Sequence, residues 1–225
     1  MDREIAIFQH VANEPSGYFE TVFQEQKIPF TYIPLYETNE VPRHLHATHL
    51  LFMGGPMSVN DELEYPWLIQ EKELIRRSVK NHQNVLGICL GAQLIASAHG
   101  AKVFRFVKET GWHPAYRVES VSAGPFSAFP DCFHVFQFHG ETFEIPFGGR
   151  LMACGKDVKH QAFILKNALG LQFHLEMTDQ IVREWSKDLP CYRRSLVARD
   201  TPRYIAESNR LCRNIAEYIT GPFRK

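Results

Sequence analysis

One cysteine of this chain sits where a nucleophile is made. The run Asn84-Val-Leu-Gly-Ile-Cys-Leu-Gly-Ala-Gln93 reads as an apolar strand, a Gly-x-Cys-x-Gly turn and the start of a helix. A tight strand-to-helix turn of this kind pushes its middle side chain out of the sheet. A Cβ at either flanking position would crowd the turn, which accounts for Gly87 and Gly91. The helix N-terminus beneath the Cys89 sulfur favours negative charge, hence the reactive thiolate. An isolated Gly-x-Cys-x-Gly is as often a buried structural cysteine. The strand before, the helix after and Gln93 one turn on favour the nucleophile.

Two further runs supply what a thiolate needs. Gly170-Leu-Gln-Phe-His-Leu-Glu176 places His174 and Glu176 at the end of a strand-like segment, and positions i and i+2 of extended chain project to one side. A nucleophilic thiol requires a base to take and return a proton, and the base requires an acid to fix its tautomer. Alone, His-x-Glu reads as a solvated surface pair; beside the cysteine turn it completes a Cys-His-Glu set. Leu51-Phe-Met-Gly-Gly-Pro-Met57 ends a strand in two glycines. Backbone N–H groups there, with that of Leu90, are placed to hold an oxyanion at the carboxyl ends of the strands, where open α/β sheets bind ligands. Gly54-Gly55-Pro56 by itself is a plain tight turn.

Positioning these residues requires a parallel sheet. Short apolar runs at Ile5–Gln9, Phe30–Leu35, Thr48–Met53 and Asn84–Ile88 predict buried strands. Helical patterns at Gly17–Gln26, Pro66–Lys80 and Gly91–His99 alternate with them, which implies right-handed βαβ units in a doubly wound, mostly parallel sheet with helices on both faces. From about Ala101 the strand-like runs Val103–Val107, Ala115–Ser120, Cys132–Phe138, Arg150–Cys154, Gln161–Lys166 and Ala168–His174 follow closely, predicting a mixed or antiparallel set added to that core. Past Met177 the pattern is helical again: Thr178-Asp179 caps Gln180–Leu189, and Thr201-Pro202 opens a last helix to about Ile219. Residues 1–177 are thus expected to form the main domain and 178–225 a helical extension packed on it. Ile205, Leu211, Ile215 and Ile219 fit core packing.

Bulk properties narrow the function. The chain has 225 residues, 44% hydrophobic and 22% charged, enough for a sizeable core. Its 25 basic and 25 acidic residues balance, which argues against a nucleic-acid surface. No secretory leader or membrane-length apolar run is visible. The five cysteines are odd in number and lack CxxC spacing, so they read as reduced thiols of a cytoplasmic protein. His44, His46 and His49 have no carboxylate or cysteine at ligand spacing and read as surface histidines rather than a metal site.

Taken in order, Gly54-Gly55-Pro56, Gly87-Ile-Cys89-Leu-Gly91-Ala-Gln93 and His174-Leu-Glu176 resemble class I glutamine amidotransferase domains. Glu109-Thr-Gly111-Trp112, the run Phe138-His-Gly140-Glu-Thr-Phe143 and Gln161-Ala-Phe163 extend the resemblance over roughly residues 5 to 177. It is similar in particular to stand-alone domains related to the amidotransferase half of GMP synthase, and to γ-glutamyl peptidases. The resemblance implies a flavodoxin-like fold with Cys89 as nucleophile, His174 as base and Glu176 as orienting acid. It further implies oxyanion donors at the backbone of Gly55 and Leu90, and substrate contacts from Gly54, Gln93, Phe138, His139 and Gly140. His139 is expected to line the pocket rather than act as a second base. The expected reaction releases ammonia from glutamine through a cysteine thioester, without metal or redox cofactor, for a separate synthase. The alternatives are a self-sufficient γ-glutamyl hydrolase or peptidase and, less favoured, a non-catalytic binding domain. A DJ-1-like cysteine fold would explain neither Gln93 nor the His174–Glu176 pair. Residues 178–225 are not expected to form a synthase domain, and the C-terminal helices are candidates for a partner or homodimer contact.

Overall fold

The computed structural model describes residues 3–118 and 124–221. Its centre is a nine-stranded sheet in the order β2-β1-β3-β4-β9-β8-β7-β5-β6. The strands are β1 (Ile5–Gln9), β2 (Phe30–Pro34), β3 (His49–Phe52), β4 (Asn84–Ile88), β5 (Val103–Arg117), β6 (Cys132–Phe143), β7 (Arg150–Gly155), β8 (Ala162–Leu165) and β9 (Ala168–Leu171). The five strands from β2 to β9 pair in parallel, and every pairing from β9 onward to β6 is antiparallel. The parallel half is the doubly wound core expected from the alternating pattern, and the antiparallel half is the mixed set expected after Ala101.

Alternation along the parallel strands assigns each side chain to a layer. Ile5, Ile7, Leu51, Leu86 and Ile88 face a cluster closed by helices α1 (Tyr18–Glu25) and α6 (Cys191–Thr220). Ala6, Phe8, Leu50, Phe52 and Val85 face the opposite cluster, closed by α2 (Leu35–Thr38), α3 (Trp67–Lys80) and α4 (Leu90–Ala98). Strands buried on both faces explain why these segments read as continuous apolar runs.

Three differences from the sequence reading have physical causes. Val103–Val107 and Ala115–Ser120 belong to one fifteen-residue strand, β5; Glu119 and Ser120 lie outside the described residues. A register shift between Arg105 and Glu109, together with Gly111 and Pro114, gives the middle of β5 the look of a turn. Pro114 is accommodated because β7 pairs with β5 only from Ala115 onward, so its missing N–H costs no ladder bond on that side. The final helix begins at Cys191, not Thr201, and carries Pro202 in its interior. Thr201 Oγ donates to the Val197 carbonyl at 2.7 Å and accepts from the Trp112 indole at 3.0 Å, pinning α6 where proline interrupts its ladder. The run to His174 leaves the sheet at Leu171, and His174 keeps a single antiparallel bridge to Phe136. Helix α5 (Asp179–Ser186) starts as expected, with the Thr178 hydroxyl accepting from the Ile181 N–H.

Leu211, Ile215 and Ile219 of α6 are buried in the same cluster as β1, β3 and β4, whereas Leu196 on its outer face is exposed. Ile215→Ala should therefore lower unfolding stability by about 2–5 kcal/mol. Leu196→Ala should stay within about 0.5 kcal/mol of wild type in the same urea titration. Equal, small effects would show that α6 is not part of the core.

Candidate active site

Cys89 stands between the end of β4 and the first residue of α4, with φ 50° and ψ −103°. A side-chain-bearing residue at positive φ is strained and persists only where its surroundings over-determine it. Here the Cys89 N–H donates to the Leu171 carbonyl at 2.7 Å, and the Gly91 N–H donates to the Met53 carbonyl at 3.2 Å. A Cβ on Gly91 would overlap the Phe52 carbonyl, and one on Gly87 would overlap the Gly91 backbone. Both glycines are thus required by the close approach of β3, β4 and α4.

His174 and Glu176 lie on the extended segment after β9. The His174 backbone exchanges hydrogen bonds with Phe136 of β6, and the Glu176 carbonyl accepts from the Tyr18 N–H at the start of α1. Ser208 of α6 donates to the Leu175 carbonyl between them. His174 Nδ1 meets Glu176 Oε1 at 2.6 Å, with both side chains buried. The ring lies near enough to Cys89 for the thiol to raise its pKa, and the Trp185 indole of α5 packs edge-on against it at 4.8 Å between centroids. Burial alone lowers the pKa of His174, but the Glu176 carboxylate and the Cys89 thiol raise it by more, leaving it well above 6.5. The imidazole is therefore held where it favours a proton next to the sulfur.

Cys89 opens onto a cleft of about 590 Å³ lined by Gly55, Met57, Gln93, Phe138, His139 and Gly140, with Arg105, Lys108, Asp61 and Glu141 also on its walls. Gly54 is buried behind Gly55. Leu90, as the first residue of α4, has a backbone N–H without an intrahelical acceptor. Gln93 Nε2 donates to the Glu141 carbonyl and to Gln172 Oε1, both at 3.3 Å, and Gln172 Nε2 reaches the Cys89 sulfur at 3.6 Å. Both ring nitrogens of His139 are engaged, one by the Glu141 carbonyl at 3.0 Å and one by Glu109 at 3.1 Å. That leaves no free nitrogen for proton transfer. Gln161 donates to Glu109 at 2.9 Å and accepts from Gln137 at 2.7 Å.

Sequence reasoning missed Gln172, Trp185, Glu14 and His10. Burial raises the pKa of Glu14, while His174 and His10 beside it pull the other way. The signal for His10 was available: it is a polar residue directly after a buried parallel strand, at the sheet edge where ligands bind. The other cysteines offer no comparable setting. Cys212 is buried and its thiol is pushed well above the ordinary value by burial, Cys132 and Cys191 are exposed, and Cys154 is partly so. Of the histidines expected at the surface, His44 and His46 are exposed, but His49 is buried in β3 with Thr48 as its partner. No group of three or more His, Cys, Asp or Glu side chains able to hold a metal occurs among the described residues.

The "Glutamine amidotransferase class-I" family model matches residues 20–182. A GMP synthase (glutamine-hydrolysing) of Thermomicrobium roseum is 32% identical over 139 residues, 60% of this chain and 24% of that protein. One of the GMP synthase subunits of Sulfurisphaera tokodaii is 29% identical over 135 residues, 57% of this chain and 66% of that relative. The crystal structure of a glutamine amidotransferase from Thermotoga maritima superposes with a TM-score of 0.90 at 28% identity, covering 99% of this chain and all of that one. The chain belongs to the class I glutamine amidotransferase family. It spans only about a quarter of the Thermomicrobium synthase it matches. Among the described residues no helix is long and apolar enough to cross a membrane.

If the Glu176 charge holds His174 up, Glu176→Gln should let the ring lose its proton at markedly lower pH, because burial then acts without its main counterweight. A titration of the His174 ring by NMR reads this directly. An unchanged midpoint would show that another group supports the charge.

Proposed function

We propose that this chain hydrolyses the side-chain amide of glutamine through a thioester on Cys89 and delivers the ammonia to a separate synthase. The observation that carries the reading is the His174 imidazole, bound to the Glu176 carboxylate at 2.6 Å and near enough to Cys89 to be influenced by its thiol, beside the cleft onto which Cys89 opens. The Cys89 thiolate attacks the amide carbon, and the resulting oxyanion is received by the N–H groups of Gly55 and Leu90. His174 gives its proton to the departing ammonia, which leaves the γ-glutamyl thioester. It then takes a proton from water as that water attacks, and returns it to the sulfur when glutamate leaves. Glu176 keeps the Nδ1 proton in place throughout, so that the other ring nitrogen does the exchange. Gln93 and the Phe138-His139-Gly140 segment shape the cleft around the substrate.

A separate synthase is supported by the Sulfurisphaera relative, which is named as part of a GMP synthase made of more than one chain. On this reading the isolated chain turns over free glutamine slowly, and a cognate synthase accelerates it.

Ammonia release from glutamine and from γ-glutamyl peptides, measured on the full chain and its variants, tests the proposal. Cys89→Ala should abolish release while leaving the fold intact. His174→Ala should lose about 10²–10⁴ in rate, and Glu176→Ala should lose less, because an unoriented imidazole still visits the productive rotamer. A glutamine-like diazoketone should label Cys89 alone. Label on Cys132, Cys154, Cys191 or Cys212, or full activity in His174→Ala, would contradict the assignment. Fast turnover of γ-glutamyl peptides without a partner would replace the synthase reading by that of a self-sufficient hydrolase.

A further inference from the structure

We infer that His10 is a positioning residue, which holds the Gly54 carbonyl so that the N–H of Gly55 is presented above Cys89. The inference rests on the reading of Gly55 as an oxyanion donor. His10 follows β1 directly, fully buried, with Nδ1 2.9 Å from the Gly54 carbonyl oxygen and Nε2 3.1 Å from Glu71 Oε1. A carbonyl can only accept, so Nδ1 carries a proton wherever the proton between Nε2 and Glu71 resides. The Trp67 indole stacks on the ring at 5.4 Å.

The link to the oxyanion site is the peptide plane. Gly54 and Gly55 are joined by a trans peptide, in which C=O and N–H point in opposite directions. Fixing the Gly54 oxygen towards His10 therefore turns the Gly55 N–H away from His10, and among the described residues that N–H meets no protein acceptor. Gly55 lies with Cys89 on the wall of the cleft. Without such a clamp, two successive glycines would let this peptide rotate at little steric cost. A Cβ at 54 would meet the Glu14 carboxylate and crowd the His174 ring.

Glu71 makes sense only as the partner of this clamp. It is buried on α3, and its second oxygen has no hydrogen-bond partner among the described residues. A buried carboxylate that is half satisfied is costly, and a hydrophobic residue in its place would commonly be no less stable. Its one strong contact is to His10. The dyad therefore contributes orientation of a backbone group at the site.

Asparagine and glutamine at position 10 separate positioning from plain packing. An Asn amide nitrogen reaches the place of Nδ1 and can still donate to Gly54, whereas a Gln amide reaches the place of Nε2 and keeps only Glu71. We expect His10→Gln to lose about 10²–10³ in kcat for glutamine hydrolysis, the usual consequence of losing one oxyanion donor, with KM changed by less than about threefold. His10→Asn should recover at least tenfold of that loss. The rate of Cys89 alkylation by iodoacetamide, followed on the Cys89 peptide, should be the same in both variants and wild type, since displacement at that carbon builds no oxyanion. Equal kcat in His10→Gln and wild type, equal loss in both variants, or alkylation falling in parallel with hydrolysis would overturn the inference. Failure of the functional reading is distinguishable, because wild type itself would then show no Cys89-dependent ammonia release.

Discussion

The site depends on one strained residue. Cys89 has a positive φ while bearing a side chain, a conformation that costs on the order of 1–3 kcal/mol. It persists because β3, β4, β9 and α4 each fix one side of the turn through backbone hydrogen bonds and glycine-sized gaps. The same turn brings the sulfur to the N-terminus of α4, whose first N–H, that of Leu90, has no intrahelical acceptor. Relaxing the turn would remove the projection of the thiol and its place at the helix end together, and no other cysteine of this chain stands at such a turn.

A buried polar network then ties the two halves of the sheet together around that turn. Gln137, Gln161, Glu109 and His139 form a continuous chain of hydrogen bonds across the antiparallel strands. Gln93 and Gln172 continue it from the parallel side to the sulfur, joined to it through the Glu141 carbonyl. Glu109 is held below the ordinary carboxylate pKa: burial pushes it up, but its bonds to His139 and Gln161 outweigh that. Networks of this kind rigidify a site when nearly every member is satisfied, and here they set the shape of the cleft wall. On the other side α6, α1 and β6 clasp the segment that carries His174 and Glu176 through Ser208, Tyr18 and Phe136.

Much of the parallel half was legible in the sequence, because strands buried on both faces leave uninterrupted apolar runs and the elbow has a fixed glycine pattern. Asn84–Ile88 and Ile5–Gln9 match their strands residue for residue. The continuity of β5 was not legible, since its bulge, glycine and proline mimic a turn, and the pairing that tolerates them is set by β6 and β7, far along the chain. Pro202 misled for a similar reason: its interruption of α6 is compensated by Thr201 and Trp112, a contact across 89 residues. Of the candidate site, the residue types came from local motifs. The His10–Glu71 clamp did not, because 61 residues separate its members and neither sits in a motif with a recognisable spacing.

The central claim is that a covalent γ-glutamyl group passes through Cys89. Acid quenching of the full chain during turnover of glutamine, followed by intact-mass and peptide analysis, tests it most directly. The account predicts an adduct of one γ-glutamyl group per chain, confined to the Cys89 peptide, labile to hydroxylamine and more populated in Glu176→Ala if deacylation slows more than acylation. Ammonia release with no adduct on Cys89 under conditions that trap a model thioester, or an adduct on any other residue, would contradict it.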